Sequence, residues 1–292
     1  MVSTATYSLF EKAVKLYPND DCLIEGDKAI TYNQLNDKIL SVFNLIIEHA
    51  NDEKIIGLST TRGIDQIVFM LAILKAKKAY LPIDFKYPKD RILKITKNSN
   101  LNFCLTNLKE STLAEEMGLS VLSNDNFKAP KHLLQQSSMA DNSTYILYTS
   151  GSTGEPKGVC MGNTAAVNLI NWQYKNSKAT QGTRTIQFAP LSFDVSFQEI
   201  MTTLTNGGCL VLINEEQRLD VVQLLERINK HQVNRLFLPF VALQALAETA
   251  VSLDKYPDSL NEIMTAGEQL KITKELRTFF TKLNHCTLYN QY

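Results

Sequence analysis

The feature that most restricts how this chain can fold is the regular switch between β-rich and helical runs along its first third. Leu9, Phe10, Ala13 and Val14 fall at helical spacing, and Pro18 stands where such a helix has to stop. Cys22-Leu-Ile-Glu-Gly and Ala29-Ile-Thr-Tyr read as short strands about the turn Gly26-Asp27. Asn33 is the candidate cap of a helix running to about His49. Ile55-Ile-Gly-Leu predicts a strand, Gly63 to Ala76 an amphipathic helix, and Ala79 to Asp84 an extended segment. Pro88 to Lys97 predicts a helix and Asn102 to Leu105 a further strand. Serial strand–helix–strand units place helices over a mainly parallel sheet, so the expected class is α/β. The polar run Gln135-Gln-Ser-Ser-Met-Ala-Asp-Asn-Ser reads as an exposed connection between a first α/β half, 1–134, and a second, 143–292.

Composition narrows the function classes. At 292 residues and 44% hydrophobic, the chain can bury one large core or two modest ones. Its 30 basic and 30 acidic side chains leave no net charge to draw it to nucleic acid or an anionic membrane. No apolar run approaches the roughly 18–20 residues of a membrane span. The start, Met1-Val-Ser-Thr-Ala-Thr-Tyr, lacks the pattern of a secretory signal. Cys22, Cys104, Cys160, Cys209 and Cys286 are far apart and odd in number, as expected for reduced thiols in a cytoplasmic protein. His49, His132, His231 and His285 are scattered without ligand spacing, so no protein-held metal is expected.

The most specific segment is Tyr145-Ile-Leu-Tyr-Thr-Ser-Gly-Ser-Thr-Gly-Glu-Pro-Lys-Gly-Val. An apolar strand runs into small and hydroxylic residues. Gly151 and Gly154 allow a tight turn that brings backbone N–H groups to an anion. Thr149, Ser150, Ser152 and Thr153 add hydroxyl donors, and Lys157 adds a positive charge. The order is not that of a Walker loop, because Pro156 precedes the lysine. Taken alone, a Gly/Ser loop is more often a plain surface connection.

The whole run from Tyr148 to Gly158 resembles the signature of the adenylate-forming superfamily, which includes acyl-CoA synthetases, luciferases and the adenylation domains of nonribosomal peptide synthetases. Other segments carry the likeness in the same order. Ile30-Thr-Tyr-Asn-Gln-Leu resembles the first adenylation-domain motif. Leu74-Lys-Ala-Lys-Lys-Ala-Tyr-Leu-Pro-Ile-Asp, followed by Tyr87-Pro-Lys-Asp-Arg-Ile, resembles the second in its peptide-synthetase form. Lys77 and Lys78 replace two glycines of the family, which affects only the local turn. Phe188-Ala-Pro-Leu-Ser-Phe-Asp-Val-Ser-Phe-Gln-Glu-Ile, Ile263-Met-Thr-Ala-Gly-Glu-Gln-Leu and the final Leu288-Tyr-Asn-Gln-Tyr match three further motifs.

The resemblance implies an incomplete, acyl-CoA-synthetase-like N-terminal subdomain, with mostly parallel sheets covered by helices and no C-terminal subdomain. It implies amino-acid activation by ATP and Mg²⁺ to an aminoacyl-adenylate, then loading onto the phosphopantetheine of a carrier domain among neighbouring synthetase domains. Thr149 and Lys157 take the catalytic roles; Ser150, Gly151, Ser152, Thr153 and Gly154 join them on ATP. Gly267, Glu268 and Asn290 approach the adenine and Tyr292 stacks on it. Asp194 pairs with the substrate α-ammonium. Val195, Gln198, Val241, Met264, Ala266 and Gln291 line the side-chain pocket, a set similar to proline-activating pockets that suggests proline or a small apolar substrate. The piece by itself is expected to be inactive, since the family's catalytic lysine and metal-associated glutamate lie past Tyr292. A fatty acyl- or aryl-CoA ligase, and a noncatalytic ATP-binding or interaction module, are the alternatives.

Overall fold

The computed structural model describes residues 5–123, 143–150 and 155–291. The polar run at 135–143 lies outside them except for Ser143. The chain begins α1 (Thr6–Leu16), β1 (Asp21–Glu25), β2 (Lys28–Thr31), α2 (Tyr32–His49), β3 (Ile55–Ser59), α3 (Ile64–Lys75), β4 (Ala79–Pro82) and α4 (Lys89–Asn98). It continues β5 (Phe103–Thr106), α5 (Leu108–Glu116), β6 (Ser120–Ser123), β7 (Ser143–Ser150), β8 (Pro156–Gly162) and α6 (Asn163–Asn176). Then follow β9 (Arg184–Gln187), α7 (Asp194–Leu204), β10 (Cys209–Leu212), α8 (Glu215–Leu219) and α9 (Val221–Lys230). The last elements are β11 (Arg235–Phe237), α10 (Phe240–Leu253), β12 (Glu262–Thr265), α11 (Lys274–Lys282) and β13 (Thr287–Asn290).

Local chemistry explains two departures from the expected elements. Helix α2 is capped by Thr31 rather than Asn33. The Thr31 hydroxyl accepts from the Gln34 N–H at 3.3 Å while the Gln34 side chain accepts from the Thr31 N–H at 2.9 Å. Thr-x-x-Gln supplies both halves of a capping box, which Asn33 cannot match. Helix α3 is not amphipathic. Ile64 and every residue from Gln66 to Leu74 are buried. A helix apolar all round belongs in an interior layer.

That layer lies between two sheets. One has seven strands in the order β13-β12-β11-β9-β10-β1-β2, parallel except for the β1–β2 hairpin. The other has six, β6-β5-β3-β4-β7-β8, parallel except for the β7–β8 hairpin. A central core packs α1, α2, α3, α6 and α7 against inner-face residues of both sheets, among them Leu23, Leu210, Leu58 and Leu147. Helices α9, α10 and α11 cover the outer face of the seven-stranded sheet. Helices α4 and α5 cover that of the six-stranded sheet. The architecture is therefore helix–sheet–helix–sheet–helix. Each fully buried Ile, Leu or Phe of the middle layer contributes about 1.5–3 kcal/mol.

Polar staples fix the sheets to each other. Arg62, just past β3, donates to the carbonyls of Gln187 (2.6 Å), Phe188 (2.8 Å) and Ile213 (3.2 Å), at the ends of β9 and β10. Inside the seven-stranded sheet, fully buried Arg235 pairs with Glu262 at 2.9 Å and lies over the Phe237 ring. Removing one partner of such a buried pair typically costs about 3–5 kcal/mol.

The double lysine after α3 has a specific geometry. Lys77 sits at φ +52°, and the N–H groups of Lys77 and Lys78 close the helix end on Leu74 and Ile73. This arrangement favours glycine at the first position. Lys78 compensates at the second: its ammonium donates to the carbonyls of Asn51 (2.6 Å) and Glu53 (2.5 Å). Lys77→Gly is expected to raise unfolding free energy by about 1 kcal/mol by removing left-handed strain, whereas Lys78→Gly lowers it. Urea denaturation of both variants measures the two signs.

Candidate active site

A cavity of about 530 Å³ opens at the carboxyl ends of β9, β11 and β12. Strand β9 is where the strand order reverses, running to β10 on one side and β11 on the other. Such a switch point leaves a crevice that open α/β sheets use for ligands. Ala189 and Pro190 from the β9 loop, Phe237 at the end of β11, and Met264 with Ala266 from β12 form much of its wall.

Asp194 enters this wall as the first residue of α7. One carboxylate oxygen accepts from the Val195 N–H at 2.8 Å, and the side chain is exposed to the cavity. A carboxylate at a helix N-terminus is favoured by the helix dipole. Its charge reaches the six-stranded sheet. After burial, Asp194 is what pushes the Tyr145 phenol up to about 12.

Strands β7 and β8, which carry residues expected to bind phosphate, form an antiparallel hairpin. Thr149 stands directly opposite Lys157, Ser150 opposite Pro156, and the Thr149 hydroxyl donates to the Lys157 carbonyl at 3.5 Å. Lys157 is exposed. Gly151, Ser152, Thr153 and Gly154 lie outside the described residues, as does Tyr292. The hairpin is tied to the Asp194 helix by aromatic contacts. Tyr145 on β7 packs on Phe197 of α7 with ring centroids 5.2 Å apart, and on Tyr80 of β4 at 5.6 Å.

The other predicted residues divide by depth. Val195, Met264, Ala266 and Gln291 line the cavity beside Gly267 and Glu268. Gly267 has φ +83°, which only glycine adopts without strain. The Glu268 carboxylate accepts from the Val241 N–H at 3.1 Å, capping α10. Val241 itself is 64% exposed and stands outside the lining. Gln198 is buried one helical turn below Asp194 and donates to the Gln291 side chain at 3.0 Å. Asn290 ends β13, next to Gln291.

Some residues of the site escaped the sequence reading. Glu199, fully buried on α7, accepts from the backbone N–H groups of Phe188 (2.9 Å) and Ala189 (3.2 Å) and from Gln187 Nε2 (3.1 Å). It fixes the β9 loop that walls the cavity. Gln173 on α6 accepts from Gln198 at 2.7 Å. Glu199 follows Gln198 in a quoted motif and was open to notice; nothing about Gln173 in the sequence marks it. A neighbouring cavity of about 430 Å³ lies between the two sheets, with Arg62, Lys86, Glu215 and Arg218 in its wall, and shares Pro190, Phe193 and Arg218 with the first. Among the described residues no group of His, Cys, Asp or Glu is arranged to hold a metal ion. No described helix is long and apolar enough to cross a membrane.

Burial pushes the Glu199 carboxyl up to about 8, against the pull of its N–H donors and Arg62. A carboxyl raised on folding stabilises the protein fully below its unfolded pKa, and loses that contribution as pH rises through the folded value. The wild-type melting temperature should therefore fall between about pH 5 and about pH 8 more steeply than that of Glu199→Gln. Parallel curves in that window would show that Glu199 is ionised throughout.

Known proteins share the fold and the family of this chain. A family model described as AMP-binding enzyme matches residues 10–292. The chain is 29% identical over 287 residues to gramicidin S synthase 2 of Brevibacillus brevis, covering 98% of this chain and 6% of that protein. It is 30% identical over 292 residues to tyrocidine synthase 2 of Brevibacillus parabrevis, covering 98% of this chain and 8% of the relative. The chain thus spans less than a tenth of the length of these relatives. Among solved structures, the nonribosomal peptide synthetase FmoA3 in its alpha-methyl-L-serine-AMP bound form superposes with a TM-score of 0.88 at 22% identity, over 99% of this chain and 33% of that one. The Klebsiella oxytoca NpsA N-terminal subdomain gives 0.81 at 20% identity, over 98% of this chain and 71% of that one.

Proposed function

The chain belongs to the AMP-binding enzyme family, and from that membership we propose that it carries the amino-acid and nucleotide sites of a peptide-synthetase adenylation domain. The observation that carries this reading is Asp194, a carboxylate at a helix N-terminus inside the switch-point cavity and joined through Phe197 and Tyr145 to the Thr149–Lys157 hairpin. An ammonium leaving water for a cavity needs a fixed anion, and an acyl-CoA ligase substrate has no such need.

In the proposed reaction the amino-acid carboxylate attacks the α-phosphorus of ATP. The new bond is carboxyl oxygen to phosphorus, and the bond from the α-phosphorus to the bridging oxygen breaks. Pyrophosphate leaves with that electron pair. Catalysis of this kind rests on positioning and charge neutralisation. Asp194 fixes the ammonium end, so that the carboxylate is presented towards the phosphate. Thr149, Lys157 and residues 150–154 hold the phosphates, and Lys157 neutralises charge that builds on the leaving group. Gly267 and Asn290 take the adenine side. Mg²⁺ supplies further charge neutralisation when bound, but the described residues offer it no ligand cluster. A phosphopantetheine thiol on a carrier domain is the proposed acceptor, and the cytoplasm the proposed compartment. The chain alone is proposed to bind substrates with little turnover.

The test is amino-acid-dependent exchange of labelled pyrophosphate into ATP, on the chain and on a form extended through the family's C-terminal subdomain. Exchange with one or a few amino acids is expected from the extended form. Asp194→Ala should reduce it by about two to three orders of magnitude, matching loss of a buried charge partner. Activity with fatty or aryl acids that survives this substitution, with no amino acid accepted, would instead assign the chain to the CoA-ligase branch.

A further inference from the structure

The floor of the cavity is polar, although its walls are largely apolar. Gln291 reaches it from the end of β13, and Met264, Ala266 and Val195 surround that end. Behind Gln291 lie two more amides. Gln198 on α7 is 8% exposed and Gln173 on α6 is 3% exposed. Gln198 Nε2 donates to Gln173 Oε1 at 2.7 Å and to Gln291 Oε1 at 3.0 Å. A primary amide carries one acceptor oxygen and one donor NH₂. With both outer oxygens turned to Gln198, the three orientations depend on one another. Flipping any one alone sets N–H against N–H or oxygen against oxygen. Gln291 then keeps its Nε2 as the arm not used on Gln198.

We infer that Gln173, Gln198 and Gln291 form an amide relay that turns the Gln291 Nε2 donor to the cavity, so that the site selects an amino acid whose side chain bears a hydrogen-bond acceptor, an amide carbonyl or a hydroxyl. This rests on the amino-acid reading above and replaces the expectation of proline or a small apolar substrate. Gln173 stands outside the cavity lining and acts through Gln198, so it is a positioning residue. Burial matters because Gln198, bonded to an amide on either side, has no water to turn towards, and Gln173 is buried against it. An apolar side chain set against the Gln291 N–H would leave that donor unpaired, and an unpaired buried donor disfavours such a side chain.

The experiment is calorimetric titration of the 292-residue chain with sulfamoyl-adenosine mimics of glutaminyl-, threonyl-, valyl- and prolyl-adenylate. The glutaminyl or threonyl mimic should bind about tenfold or more tighter than the valyl and prolyl mimics, the factor expected for one buried hydrogen bond to a neutral group. Gln173→Met should bring that ratio to about one while leaving valyl affinity within about twofold. Gln173→Glu, which keeps an oxygen facing Gln198, should retain the ratio. A merely structural role for Gln173 would weaken all four mimics together. Valyl or prolyl binding equal to or tighter than the others would overturn the relay, as would a ratio that Gln173→Met and Gln198→Met leave unchanged. If Gln173→Met does not fold, the wild-type ratio and Gln198→Met decide. Valyl or prolyl preference that Asp194→Ala abolishes overturns the relay but keeps the amino-acid reading. Failure of every mimic to bind, or binding indifferent to Asp194→Ala, overturns both.

Discussion

The middle helical layer is the constraint from which the rest of the structure follows. Helix α3 is buried along almost its whole length, and so is α7 from Ser196 to Leu204. Each presents apolar side chains to a sheet and to neighbouring helices, and neither has a solvated side along which it can slide. Because the Tyr80–Tyr145–Phe197 contacts join β4, β7 and α7, the β7–β8 hairpin is held at a fixed place relative to Asp194 at the start of α7. Interiors packed like crystals resist small displacements. The geometry between the β7–β8 hairpin and the Asp194 carboxylate is thus set by hydrophobic packing.

Polar groups inside this core hold loops and strand ends. Glu199 pins the β9 loop through three donors. Arg62 collects the carbonyl ends of β9 and β10. Glu262 pairs with Arg235 and also accepts from Ser177 and the Lys178 N–H, anchoring the segment after α6. Burying charge is costly, and apolar replacements of equal shape are often as stable. What these groups add is a defined position for irregular backbone, which has no ladder of its own to satisfy it. All three act around the cavity or the strands that carry it.

Much of this was legible in the sequence, for reasons that can be named. The early strands and helices were readable because their apolar spacing and Pro18 obey local rules. The strand running into Thr149 was readable from its apolar residues, whereas its antiparallel return, β8, was not expected. Helix α3 reads as amphipathic, but packing against the six-stranded sheet and against α1 and α2 buries it nearly all round, Gln66 included. The capping of α2 was missed by two residues because Asn is a good cap in general, but only Thr31 has Gln34 three residues on. Gln173 was illegible. Its role depends on α6 crossing α7 at one turn, a contact between residues 25 positions apart. Val241 was carried over by likeness alone, and its side chain stands outside the cavity lining, which no spacing argument could have decided.

In the proposed arrangement one side of the switch-point cavity holds an amino-acid ammonium while the β7–β8 hairpin holds phosphate. A crystal structure of the chain with a non-hydrolysable aminoacyl-adenylate mimic tests this arrangement. The ammonium should lie within hydrogen-bond distance of Asp194 and the adenosine along Gly267 and Asn290, with the phosphate mimic on the side of Thr149. A ligand whose ammonium points to solvent, or whose phosphate mimic lies away from the hairpin, would contradict it.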